Sequence, residues 1–249
     1  LDDLYQYKAR VQMLFLLAAG IAIQFFADPA GRVQIAGFGP LFGSRDAWFP
    51  TGLLAIPVTA VYIFVVTKTM DTIDGIDGLT AGISGIAAGT LSILATTTVL
   101  NLSSDRATEL GRLYSELPRI SLIAAACAGS ALGFLKHNYN PAKIFMGTGG
   151  AQLLGFMLAC ISIVGVMKTA ATVALAIPVF VFGVPIFDAA FVVIRRLLSG
   201  QPITQADKRH IHHTLLGKGL SQKQAVWVLY LVAIALSAVG AYVVIRSNG

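Results

Sequence analysis

Charge is what this 249-residue chain has least of: Asp, Glu, Lys and Arg make up 12% of it, against 56% apolar residues and a mean hydropathy of +0.76. Soluble domains carry about a quarter charged residues, so the composition excludes them and points to an all-α, polytopic membrane protein. Cysteine is nearly absent. Cys127 and Cys160 both sit inside apolar runs, which leaves two packed thiols that say nothing about redox compartment. A basic stripe with interleaved aromatics is also missing, so the net charge of +6 and pI near 9.5 do not signal nucleic acid, and no such partner is expected. The excess Lys and Arg read instead as loop charges that set membrane topology. No repeat, low-complexity linker, second domain or cleavable signal peptide is visible, so residues 1–249 are read as one integral-membrane domain. The chain opens on Leu1-Asp2-Asp3 without an initiator Met, and a preceding N-terminal part is expected.

A span needs about 20 mostly apolar residues. Seven stretches qualify: Val11 to Ala27, Phe49 to Thr67, Leu79 to Leu100, Ile120 to Leu135, Gly150 to Met167, Ala170 to Val193 and Val226 to Ile245. Pro178 and Pro185 break the sixth. Gly82, Gly85 and Gly89 in the third suit close helix packing in lipid. Four polar stretches lie between these spans: Asp2-Asp3, Asp71 to Asp77, Asn138 to Thr148, and the histidine-rich loop after span six. Even numbers of crossings separate them all. They therefore share one membrane face, a coincidence of about one in eight for four unrelated loops, and the reading is that they form one site. That face carries eleven of the eighteen Lys and Arg, which makes it the cytoplasmic one.

The densest patch is Asp71-Thr72-Ile73-Asp74-Gly75-Ile76-Asp77-Gly78, three carboxylates in seven residues between two apolar runs. Hard cations take carboxylate oxygens, and Gly75 and Gly78 would let backbone N–H groups approach a ligand. An acidic turn capping the next helix through Asp77 is the plainer alternative. Adjacent Asp2 and Asp3 read either as a solvated helix end or as a like-charge pair with one raised pKa, able to take a proton near neutrality. Asn138 to Gly150 is a glycine-rich turn in which Lys143 and helix-start N–H groups suit phosphate and Phe145 suits a base, or else a tight membrane-entry turn. His210, His212 and His213, near Arg195 and Arg196, lack the further ligands a zinc site needs. They read as cationic groups converging on an anion, or as a basic juxtamembrane loop. Asp188, late in span six, is favoured as the ion-pair partner of a nearby Arg such as Arg195.

Together these stretches resemble the polyprenyl-phosphate N-acetylhexosamine-1-phosphate transferase family. The similarity rests on Leu-Asp-Asp at 1–3, Asp-Gly-Ile-Asp-Gly-Leu at 74–79, Asn-Pro-Ala-Lys-Ile-Phe-Met-Gly at 140–147, Pro-Ile-Phe-Asp at 185–188 and His-Ile-His-His at 210–213. It implies an enzyme of a bacterial inner membrane that moves a sugar 1-phosphate from a UDP-N-acetylhexosamine to undecaprenyl phosphate. The branch it favours initiates O-antigen, common-antigen or wall teichoic acid synthesis. It also implies about three further helices before residue 1 and leaves room for a homodimer. Under it, Asp2 and Asp3 act on the lipid phosphate, and Asp74, Gly75, Ile76 and Asp77 hold the nucleotide. Phe145 stacks on uracil beside Asn138, and the three His with Arg195 or Arg196 contact diphosphate or sugar.

The departures from the family pattern fall at the metal. The usual Asn-x-x-Asn-x-x-Asp-Gly has Lys68 and Asp71 at its Asn positions, and the usual Phe-Met-Gly-Asp ends here in Thr148. The expectation is that Asp71 supplies the anionic ligand and Thr148 a neutral one to Mg²⁺, with Mn²⁺ as an alternative. An inactive relative, and a transporter or receptor, remain the other classes.

Overall fold

The computed structural model describes residues 9–26, 32–38, 49–101, 112–167, 176–200 and 210–248. Nine α-helices occur among them: α1 (Ala9–Ala22), α2 (Ala55–Thr72), α3 (Leu79–Asn101), α4 (Arg112–Asn138), α5 (Gly147–Ser162), α6 (Ala176–Val181), α7 (Gly183–Leu198), α8 (Ile211–Gly217) and α9 (Gln222–Asn248). Five segments, built on α2, α3, α4, α5 and α9, are long and apolar enough to cross a bilayer, and Arg10–Phe25 is a shorter apolar helix. The sixth expected span divides into α6 and α7, with Phe182 outside helical geometry at φ −103°, ψ 24°. Five of the about seven expected spans thus stand as long apolar helices among the described residues, and the helical membrane class holds.

α3 is the central helix, because Leu79, Ile83, Leu91 and Leu94 are fully buried and its neighbours α4 and α9 pack along it. Two of the three glycines explain how closely they approach. A Cβ on Gly85 would come within 3.1 Å of Leu132 on α4, and one on Gly82 would overlap the Tyr230 ring of α9. Gly89 faces open space, so the third of the expected packing glycines is not one. On the α3–α4 seam Ser92, Thr96 and Ser121 join in a hydroxyl cluster, the side-chain bonding expected where lipid offers no competing partner. α5 lies on α2, where Gly155 abuts the Thr67 backbone. Large apolar side chains face outward instead, among them Leu122 and Ile123 on α4 and Leu231 and Ile234 on α9.

Far from the acidic turn, a two-residue antiparallel ladder pairs Gly37 with Pro50 and Phe38 with Phe49. The preceding segment is held on α2 by Ile35 N–H donating to Thr59 Oγ1 at 2.9 Å. Buried Gln24 donates to the carbonyls of Gly20 and Ile56, so no polar atom of that amide donor goes unused. At the opposite end α2, α4 and α7 terminate and α3, α5 and α9 begin. α1 also starts there, because Lys68 near the end of α2 donates to Gln12 in its first turn at 3.0 Å.

Candidate active site

The acidic turn 73–78 links α2 to α3, and each of its carboxylates meets a different fate. Asp71, still in the last turn of α2, has its Oδ2 bound by Lys68 Nζ at 2.5 Å and by Gln152 Nε2 of α5 at 3.3 Å. Asp77 Oδ2 accepts from Asn140 Nδ2 at 3.0 Å and from the Ala142 N–H at 3.1 Å, which ties this turn to the one after α4. Asp74 lines a cavity. Burial pushes its carboxyl above the ordinary range; the nearby Thr80 hydroxyl offsets part of that, and the Asp71 charge adds to it.

That cavity, about 260 Å³, is enclosed by Asp74, Gly75, Ile76 and Asp77 on one side and by Asn138, Phe145, Met146 and Gly147 on the other. Six of the nucleotide residues expected from sequence (Asp74, Gly75, Ile76, Asp77, Asn138 and Phe145) therefore share one wall or rim. Phe145 is 77% exposed, an aromatic face held out at the mouth with no ring of the described residues stacked on it. Asn138 is different. Its Oδ1 accepts the Gly78 N–H at 3.0 Å and its Nδ2 donates to the Ile144 carbonyl at 2.9 Å, so the amide acts first as a strut between the two turns. Gly78 has φ +83°, a conformation that costs glycine nothing and places its peptide at the head of α3.

The histidine segment closes the site from behind. His212 is 1% exposed and its Nε2 faces Gly75, where an added Cβ would lie 2.5 Å away. Burial, with the adjacent His213 and His210 and against Asp188, pushes its pKa down to about 4. It is therefore neutral at neutral pH, and the expectation of three cationic imidazoles is corrected at this position. Desolvation wins because neither ring nitrogen has a hydrogen-bond partner among the described residues. His210 stacks on His212 with ring centroids 5.7 Å apart and bonds through Nδ1 to Asp188 Oδ2 at 2.8 Å. Asp188 Oδ1 accepts the Ile211 N–H at 2.7 Å. The pairing expected between Asp188 and Arg195 gives way to these two partners, since a buried carboxylate at the head of α8 finds the N–H and imidazole closer to hand. His213 is exposed, Arg196 is 5% exposed and Arg195 half-buried near the end of α7, and none of the three lines the cavity. Lys143 is exposed and also stands outside the lining. Asp2 and Asp3 fall outside the described residues.

Mg²⁺ is usually held by one or two carboxylates, with substrate phosphate and water completing its shell. Asp74 is a desolvated carboxyl with a second carboxylate close enough to raise it, the charge pattern a hard cation relieves. Thr148 lies one helical turn before Gln152, on the face of α5 that reaches Asp71. The residues fit such an ion through Asp71 and Asp74, with Lys68 competing for Asp71. No group of three His, Cys, Asp or Glu ligands occurs among the described residues.

Sequence reasoning did not reach three partners that matter. Gln152, Gln222 and Tyr230 sit in apolar spans or at their ends with no motif around them, and only the packing of α5 and α9 brings them to the turns.

A helical membrane protein whose polar groups gather in one cavity at the ends of its spans is built like an enzyme working on a ligand at the bilayer surface. Residues 1–166 match glycosyl transferase family 4, and the chain belongs to that family. It is 38% identical over 237 residues, 95% of its length, to a probable undecaprenyl-phosphate N-acetylglucosaminyl 1-phosphate transferase of Bacillus subtilis strain 168. It is 34% identical over 188 residues, 71% of the chain and 45% of the relative, to a decaprenyl-phosphate N-acetylglucosaminephosphotransferase of Mycobacterium leprae. An undecaprenyl-phosphate alpha-N-acetylglucosaminyl 1-phosphate transferase of Escherichia coli K12 is 25% identical over 245 residues, 96% of the chain. The chain spans 60% of the Bacillus and Escherichia relatives' lengths.

Proposed function

We propose that the protein transfers an N-acetylhexosamine 1-phosphate, GlcNAc by default, from its UDP-sugar to undecaprenyl phosphate. A phosphate oxygen of the carrier attacks the β-phosphorus of the UDP-sugar, the bond to the bridging oxygen breaks, and UMP leaves. The single observation that carries this reading is the cavity between the Asp74–Asp77 turn and the Phe145 turn, which offers a carboxylate, backbone N–H groups and an exposed ring together. Phe145 would stack on uracil, while Asp74 with the Gly75 and Ile76 backbone would hold the ribose or the diphosphate end. Asp2 and Asp3, by family resemblance, would act on the lipid phosphate. His213, Arg195 and Arg196 would stabilise charge on the transferring group from the histidine side.

Mg²⁺ or Mn²⁺, when held by Asp71 and Asp74 with Thr148 as a neutral ligand, would serve as a Lewis acid and template for the diphosphate. Lys68 shares Asp71, so this chain's own ammonium already supplies part of the positive charge there. The excess of Lys and Arg on the site's face supports a cytoplasmic site in a bacterial inner membrane, where UDP-sugars and lipid carrier meet. Placement at helix ends argues against a transporter, whose ligands bind near mid-membrane on broken helices.

The test is to incubate the full-length protein in detergent with undecaprenyl phosphate, Mg²⁺ and a panel of UDP-sugars, and to assay UMP. Release that depends on the lipid phosphate is the expected result. No UMP from any sugar, with UDP still bound, would instead identify a family member that has kept the pocket and lost the chemistry.

A further inference from the structure

The last helix, α9, reads in sequence as nothing more than a membrane anchor, and it lies wholly beyond residue 166, where the family match ends. Three side chains on its first turns nevertheless reach the two turns that make the cavity. Tyr230, 6% exposed, donates its hydroxyl to the Gly78 carbonyl at 2.5 Å, its ring filling the notch that Gly82 leaves on α3. Trp227 Nε1–H donates to the Tyr139 hydroxyl at 2.9 Å and packs edge-on against Tyr230. Gln222 Oε1 accepts from Asn140 Nδ2, the same amide nitrogen that donates to Asp77 Oδ2.

Neither Tyr230 nor Gln222 lines the cavity, and each reaches a lining residue through one intermediate, Tyr230 through Gly78 to Asn138 and Gln222 through Asn140 to Asp77. The Gly78 peptide is fixed at both ends, its N–H by Asn138 from α4 and its carbonyl by Tyr230 from α9. Asp77 is likewise fixed through Asn140, whose orientation Gln222 selects. The width of the cavity is the distance between the acidic turn and the Phe145 turn, and these bonds are what set it. We propose that Tyr230 and Gln222 are positioning residues for the nucleotide pocket, acting through Gly78 and through the Asn140–Asp77 pair. This rests on the transferase reading above, in that the pocket's ligand is taken to be a uridine diphosphate.

The experiment measures UDP binding calorimetrically, and KM and kcat for the UDP-sugar, on the full-length protein and on Tyr230→Phe, Gln222→Leu and Gln222→Glu. Tyr230→Phe keeps the ring and loses one bond, so UDP affinity is expected to fall about tenfold, the equivalent of one hydrogen bond, with the loss in KM more than in kcat. Gln222→Leu is expected to weaken UDP binding about threefold or more, and Gln222→Glu, which keeps an acceptor oxygen for Asn140, to restore it to within about twofold. Gln222 is half-buried at a helix start, so its two variants remain informative if Tyr230→Phe fails to fold. Unchanged UDP affinity in both Tyr230→Phe and Gln222→Leu, beside a wild type that binds UDP, would overturn this inference alone. Equal losses in Gln222→Leu and Gln222→Glu would also overturn it. A wild type that neither binds UDP nor releases UMP would overturn the transferase reading and this inference with it.

Discussion

The acidic turn and the histidine segment are both short runs of one chemical type, three carboxylates in seven residues and three imidazoles in four, and the fold treats them alike. In the first, Asp71 is engaged by Lys68 and Gln152, Asp77 by Asn140 and Ala142, and Asp74 is left to face the cavity. In the second, His210 is engaged by Asp188, His212 is buried neutral against Gly75, and His213 is left exposed. A cluster of like groups cannot be desolvated together at tolerable cost, so most members become partners in the scaffold and one remains for a ligand. The difference lies in how the spare members are spent. Carboxylates are matched by donors, whereas His212 gives up its charge.

The largest expected effect separates Asp74 from its neighbours. Asp74→Asn should lower UMP release about 100-fold or more, as loss of a transition-state contact does, while leaving thermal stability unchanged or higher because a buried charge is removed. Asp77→Asn should do the reverse, costing about 1–3 kcal/mol of stability through Asn140 and Ala142 before it costs binding. Activity and melting curves on the two variants would erase the distinction if both lost turnover with intact stability.

The contact between the two clusters is next. Gly75→Ala places a methyl against a buried ring that has no room to retreat, and overpacking of this kind costs about 1–3 kcal/mol. His212→Ala alone opens a hole. The double variant should recover part of the loss, and a coupling energy near zero in that cycle would mean that the two segments do not bear on each other.

Much of this division was out of reach of the sequence for a definable reason. The five long apolar helices followed from apolar run length and the gathering of three polar stretches at one end from crossing parity, both local or countable, while Asp74 to Asp77 and Phe145 were singled out by residue type and by the family resemblance. What failed were pairings across long separations. Asp188 belongs with His210 rather than Arg195 because α8 turns back over α7, and Asn138 is spent on Gly78 because α4 ends beside α3. Gly89 shares the spacing of Gly82 and Gly85 but not their neighbours. The break between α6 and α7 was signalled by Pro185, whereas the docking of Tyr230 into the Gly82 notch had no signal beyond a glycine and a tyrosine about 150 residues apart.

Protonation sharpens the contrast further. His212 has a folded pKa near 4 against an ordinary 6.5, so the unfolded chain binds its proton first as pH falls. Its contribution to stability is present above pH 6.5 and is lost between 6.5 and 4. Asp74, whose folded pKa is raised, contributes with the opposite sign, gaining stability as pH falls through its folded value toward the ordinary 3.8. The His212 part is isolated by subtracting the melting-temperature profile of His212→Gln from that of the wild type. A difference that stays flat from pH 7 to pH 4 would mean that the imidazole at 212 takes its proton as readily folded as unfolded, and would remove the asymmetry between the clusters.

The smallest effect is expected at Lys143, the residue whose charge most suggests a phosphate holder. It is exposed, its N–H bonds the His137 carbonyl, and its side chain lies outside the cavity lining. A solvated ammonium at that distance acts on a diphosphate only through screened water, so Lys143→Ala should change UDP affinity by about twofold or less, and less still in high salt. If the loss instead exceeded about fivefold and survived 0.5 M salt, Lys143 would have to fold over Phe145 onto the ligand, closing the pocket from the rim. The nearest cation to the ligand would then come from the Phe145 turn and not from the histidine side, whose His212 is neutral and whose His213 lies outside the cavity lining.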